Sequence, residues 1–343
     1  MKVKLILVLS ISLLAFNSTH GQGYVTNVTG VGTTAAPFLE IEIGPRATGM
    51  GGAFTAVAND ATAIYWNPAG IARLVANEAI LIHTKWLAGI SFDFVAGIFP
   101  LGEYGVIGVS GTSLSMGEME VRTIAQQEGT GERFGANSLA LKLSYATNLT
   151  DRFSIGFNGK YIQENMWHMN ASAVAIDIGT LFTTQFNDMR IGMSISNFGT
   201  DMKLAGRDAM VYHDIAPDII GNNDKTIAFL GTDPWSLPLT FRAGVAIDII
   251  RDPKNYLTVA VDAVHPNDNS EYLNLGFEYV LNDLLSLRCG YCSLFKRNSE
   301  EGFTMGLGIK TKLDIGAALK VDYAYADFGR LVNAHRFSIG VEF

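Results

Sequence analysis

The chain has 343 residues, 48% of them hydrophobic and only 17% charged, with 36 Gly, 9 Pro and a formal net charge of −8. Ordinary soluble domains carry about 25% charged residues and about 7% Gly, so this chain is charge-poor and Gly-rich, with a positive mean hydropathy of +0.20. That composition argues against disorder, and the acidic balance argues against a nucleic-acid partner, which would need a basic stripe.

The first element is an address. Lys2 and Lys4 precede the apolar run from Leu5 to Phe16, and the small residues Thr19 and Gly21 flank a cleavage point after Gly21. Residues 1–21 therefore read as a secretory signal peptide, too short for a spanning helix. No later stretch of about 20 apolar residues exists, so no helix crosses a bilayer. The exported chain is either soluble or an outer-membrane β-barrel.

Residues 22–77 form a segment with neither strand alternation nor loop composition. Small residues dominate 47–58, which suits close packing against a wall. Asp60 is placed to cap a short helix from Ala61, and Pro68 stops it after Asn67.

From residue 78 the apolar residues recur at every second position, so alternate side chains fall on opposite strand faces. Strands are expected near 78–87, 89–99, 104–114, 137–147, 152–162, 172–183, 189–198, 237–248, 255–264, 271–280, 284–292, 302–310, 316–326 and 334–343. Charges such as Lys85, Asp93, Lys142, Lys160, Asp177, Arg242, Asp262, Glu278, Arg288 and Arg336 lie on the polar parity, and only Glu78 and Glu271 lie on the apolar one, each at a strand end within reach of water. A Lys or Arg on the lipid face near the midplane costs roughly 2–4 kcal/mol, whereas a wet lumen tolerates it. The last strand places Phe337, Ile339, Val341 and the terminal Phe343 on one face, the pattern of an outer-membrane insertion signal. The fold class is thus all-β: a transmembrane antiparallel barrel of about 14 strands over 78–343, preceded by a partly helical segment over 22–77.

Connections alternate between short turns, such as Asn187-Asp188 and Asn282-Asp283, and a more variable, mostly longer set that includes 115–136 and 199–236. Short turns face the periplasm in such barrels, which would put both chain ends on that side. The loop 199–236 is unusually apolar, with Ile219, Ile220, Phe229 and Trp235 as candidate docking anchors; a lid over the lumen is the alternative.

The pieces Arg46-Ala47-Thr48-Gly49-Met50-Gly51-Gly52 and Asp60 through Trp66-Asn67-Pro68-Ala69-Gly70 together resemble the N-terminal signature of the PorV/PorQ family, with FadL-type transporters as distant relatives. The likeness continues through Asp177-Ile178-Gly179, Ile195-Ser196-Asn197-Phe198-Gly199 and His265-Pro266-Asn267-Asp268-Asn269 to the C-terminal Phe. Pro45 departs from the commoner Ala. The resemblance implies a fourteen-stranded barrel in the bacterial outer membrane. Arg46, Gly49, Met50, Gly51, Gly52, Asp60, Trp66, Asn67 and Pro68 would belong to a plug tucked into its lumen. It also implies a large translocon of type IX protein secretion as partner, with outer-membrane lipid around the wall. The transporter relatives imply passage of a hydrophobic small molecule instead, and a structural subunit of a larger complex is the third reading.

No motif asks for a cofactor or a metal. Cys289 and Cys292 have CxxC spacing but lie in a strand pattern, on opposite faces about 10 Å apart, beyond disulfide reach. Gly49-x-Gly51-Gly52 lacks the strand and spacing of a phosphate loop.

Overall fold

The computed structural model describes residues 30–220, 225–252, 254–296, 299–313 and 316–343; the expected signal peptide lies outside them. Fourteen antiparallel strands form one closed barrel. They are β1 (Glu78–Lys85), β2 (Ser91–Pro100), β3 (Val106–Ser115), β4 (Ala136–Thr150), β5 (Phe153–Met166), β6 (Met169–Thr183) and β7 (Arg190–Gly199) in the first half. The second half holds β8 (Thr240–Arg251), β9 (Tyr256–Pro266), β10 (Tyr272–Leu281), β11 (Leu285–Leu294), β12 (Phe303–Lys312), β13 (Ala318–Asp327) and β14 (Asn333–Glu342). Each strand pairs with its chain neighbours, and β1 pairs with β14 from Glu78↔Glu342 to Lys85↔His335 to close the circle. Closure leaves no strand edge, which is what lets a sheet satisfy its backbone inside lipid.

The alternation does what its period requires. Leu141, Leu143, Tyr145, Phe157, Phe337 and Ile339 point outward and are exposed, while Ser144, Asn158, Lys160, Asp177, Arg242, Glu278, Arg288 and Arg336 point inward and are buried. Asn187-Asp188 and Asn282-Asp283 all have φ between 42° and 56°, the left-handed pair that matches tight hairpin turns to strand twist.

Two strands reverse the expected parity. Lys85 and Asp93 face outward, where His83 Nδ1 lies 2.7 Å from Asp93 Oδ1. Glu78 faces inward, buried, with Lys320 Nζ 3.2 Å from it, rather than reaching water. The cause is the plug. Ile80, Ile82, Phe92, Phe94 and Ile98 are buried in the same apolar cluster as the plug residues, so this part of the lumen wall is apolar. Apolar residues occupy both faces of β1 and β2, and alternation there has no polar side to read.

The segment before β1 threads the lumen from end to end. At the long-loop end, Thr34 donates to Asp268 at 2.9 Å and the Ala35 amide donates to Ser236 O at 2.9 Å. At the short-turn end, Asn148 Nδ2 donates to Ala72 O at 2.8 Å and Arg73 to Thr183 Oγ1 at 2.6 Å. The described start of the chain therefore lies at the long-loop end, opposite Phe343, which pairs with Asn77. The expectation of one shared side fails at the first described residues: the thread through the lumen puts residues 30–35 on the side opposite Phe343.

Candidate functional site

The plug is built from very short elements held by the wall. Pro37–Glu40 is a 3-10 turn, α1 spans Pro45–Gly49, α2 spans Ala63–Trp66, and a second 3-10 turn runs Pro68–Arg73. Helix α2 starts two residues later than expected. Asp60 still accepts the Thr62 amide at 2.9 Å, but that bond shapes the turn before the helix. Asn67 ends it, and Pro68 opens the next turn, as Pro at a first helical position does.

Some motif residues are held by the barrel wall and others by the plug itself. Arg46 meets Glu278 of β10 through two parallel bonds of 2.9 and 2.8 Å, and Asp60 at 3.0 Å. Glu278 also takes Arg288 Nε at 2.7 Å, and Arg288 continues to Asp322 at 2.5 Å. Such forked, charge-assisted pairs fix orientation as well as position. Asn67 Nδ2 donates to Thr55 O at 2.9 Å and to Thr180 O of β6 at 3.0 Å. Trp66, buried at 1% exposure, donates to Ile43 O at 2.8 Å. Asp262 of β9 accepts the Phe54 and Thr55 amides at 2.9 and 2.8 Å.

Close backbone approach explains the glycines. Gly51 has φ +64°, and a Cβ there would stand 2.6 Å from the Tyr291 amide nitrogen of β11. The facing Gly290 is equally constrained, its Cβ falling 2.2 Å from Gly51 N. Gly49 packs against Gly306 of β12, Gly52 beside Glu42, and Met50 is fully buried. Sequence reasoning placed Glu278, Arg288 and Asp262 on the inward parity but not in the site; their only signal was a charge facing a lumen.

The plug leaves little open space around it. A polar cavity of about 250 Å³ remains at the short-turn end, between Arg46, Asp60, Glu78, Glu278, Lys320 and Glu342. At the other end the long connection from β7 to β8 carries a ribbon, Met210–His213 paired with Thr226–Phe229. Ile219 (67%), Ile220 (106%), Phe229 (65%) and Trp235 (49%) are all exposed. Phe229 sits opposite Met210 in the ribbon, Trp235 sits opposite Met202 at the loop base, and the two isoleucines lie beyond the ribbon. On β14, Phe337 and Ile339 face outward, Val341 is half-buried, and Phe343 follows the strand with an exposed side chain. Cys289 is exposed on the outer face of β11 and Cys292 is buried on the inner one, both free thiols.

The barrel is similar to solved outer-membrane channels. A Pseudomonas aeruginosa FadL homologue matches with TM-score 0.54 at 11% identity, over 87% of this chain and 97% of that one. The CymD monoaromatic hydrocarbon channel matches with TM-score 0.55 at 11% identity, over 88% and 97%. The Ralstonia pickettii toluene transporter TbuX matches with TM-score 0.52 at 13% identity, over 88% and 97%. Identities this low establish the fold alone. No curated protein sequence matches the chain. The model of the type IX secretion system protein PorV matches residues 25–266. That match takes in the plug, most of the wall and the apolar loop, and with the barrel fold it places the protein in the bacterial outer membrane. The chain belongs to the PorV family.

Proposed function

We propose that this protein is an accessory, cargo-handling barrel of type IX secretion that docks a large outer-membrane protein partner through the loop between β7 and β8. The observation that carries this reading is the exposure of Ile219, Ile220, Phe229 and Trp235 on one connection. Large apolar side chains exposed outside a wall mark an interaction site, and a few such anchors, aromatics above all, tend to dominate interface energies. The plug supports the same reading, since Phe54, Trp66 and their neighbours occupy the lumen that a conduit would keep open. Phe337, Ile339, Val341 and Phe343 serve in this proposal as the insertion signal of the closing strand.

The fold likeness to hydrocarbon channels supports a second reading, passage of a hydrophobic compound, in which the loop is a lid. One deletion separates them. Excising residues 207–231 keeps the Met202–Trp235 bridge, the Thr232 to Leu204 bond and the Ala205–Gly206 pairing with β6. The barrel should then fold but no longer co-purify with its large partner in mild detergent. Undiminished partner recovery together with faster uptake of hydrophobic probes would replace the docking reading with the channel one.

A further inference from the structure

Near Tyr65, inside the barrel, lie three cations, of which only the two lysines reach a carboxylate. Lys142 on β4, Lys160 on β5 and Arg242 on β8 are buried, at 7%, 5% and 7% exposure. Asp177 on β6 stands 2.6 Å from Lys160 Nζ but 4.0 Å from Lys142 Nζ. It is already occupied, accepting Asn158 Nδ2 at 2.8 Å and the Asn197 amide at 2.8 Å. Arg242 has no ion pair among the described residues; its guanidinium faces the Tyr65 and Trp66 rings, 5.6 and 5.5 Å from their centroids. Glu40, Glu42 and Asp262 act on Arg242 only at longer range, and Asp262 is committed to the Phe54 and Thr55 amides.

Among Lys142, Lys160, Arg242 and Ser196 lies a cavity of about 10 Å³, walled on its apolar side by Phe38 and Phe92. That is room for a single particle, a water or a monatomic ion. Ser196 Oγ is buried there with no hydrogen-bond partner among the described residues. Lys142 and Arg242 thus bring positive charge into a low-dielectric interior without a matched counter-charge, which is costly unless an anion joins them. A water molecule would satisfy Ser196 and leave the charge uncompensated.

We propose that this cavity is a built anion site for a single chloride-sized ion, held by the Lys142 ammonium, the Arg242 guanidinium and the Ser196 hydroxyl. The ion would join β4, β7 and β8 to the plug at Tyr65, so its binding stabilises the seated plug by mass action.

The test uses the full chain, folded in detergent, dialysed into sodium gluconate and titrated with sodium bromide at constant ionic strength. The thermal midpoint of the folded, heat-modifiable band should rise and saturate. Ser196→Ala should raise the half-saturating bromide concentration about tenfold, the loss of one hydrogen bond to a charged group, and Lys142→Met should abolish the response. Anomalous diffraction from wild-type crystals grown in bromide should show one peak in the cavity, a readout that does not require the variants to fold. A wild-type midpoint indifferent to bromide, an unchanged half-saturation in Ser196→Ala, or an anomalous map without that peak would each overturn the proposal.

Discussion

Leu141 points at lipid from the middle of β4 with 49% of its surface exposed, whereas Ser286 on β11 lines the polar cavity at the short-turn end. An Arg at the first position meets hydrocarbon, at roughly 2–4 kcal/mol near the midplane. At the second it meets water and the carboxylates of Glu278, Asp322 and Glu342. Leu141→Arg should therefore deplete the compact band on unheated gels of outer membranes, and Ser286→Arg should retain it. Equal depletion would show the inside and outside faces to be wrongly assigned. Ala140 faces inward too, but it is fully buried in the cluster that packs the plug, so a large residue there is overpacked whatever its charge. Alternation makes the parity of Ala140 and Leu141 legible in the sequence. It does not say which lumen residues touch another segment and which touch water, because that depends on contacts more than 60 positions away in the chain, on the order of the separation of Ala140 from the plug motif.

At the scale of elements, the wall carries the plug and the plug in turn sets the wall. Every wall strand was legible as a strand, and from β3 to β14 so was its facing, because one face meets lipid and the other is mostly small or polar. The facing of β1 and β2 was not, because their inner faces are apolar and pack in one cluster with Phe54, Ile64 and other plug residues. The plug motif was legible as a pattern, but Arg46 could not be paired with Glu278 across 232 residues without the fold. Within the plug, burial raises the Glu42 carboxyl from 4.5 to about 7, with Arg336 opposing the rise. A folded value above the unfolded one favours the protonated form. Its contribution is complete below about 4.5, falls as pH rises toward 7 and is gone above it. The thermal midpoint of the folded band should accordingly drop between about pH 5 and 7.5, and Glu42→Gln should flatten that slope. An identical slope in the variant would assign the pH response elsewhere.

For the whole molecule, the threaded segment decides which surface each part of the chain presents. Gly32 lies in an exposed turn at the long-loop end, with φ +80° and nothing within 4 Å of an added Cβ. Long loops face outward in outer-membrane barrels. An epitope inserted after Gly32 should bind antibody on intact cells, while one inserted in the turn around Gly102 should bind only after permeabilisation. The reverse pattern would refute the threading or the orientation. Strand count and closure were readable from alternation and turn chemistry; the direction of the thread was not, since small residues pack equally well whichever end they enter.

β11 also brings a built-in chemical counter. The chain has two cysteines, and the pleat splits them, Cys289 on the lipid face and Cys292 sealed within the wall. A water-soluble maleimide should be kept from Cys289 by lipid or detergent and from Cys292 by the wall, adding to neither in the assembled barrel and to both in a chain unfolded by heating in SDS. Intact mass would then give the folded fraction of any preparation, variants included, with no label engineered into the protein.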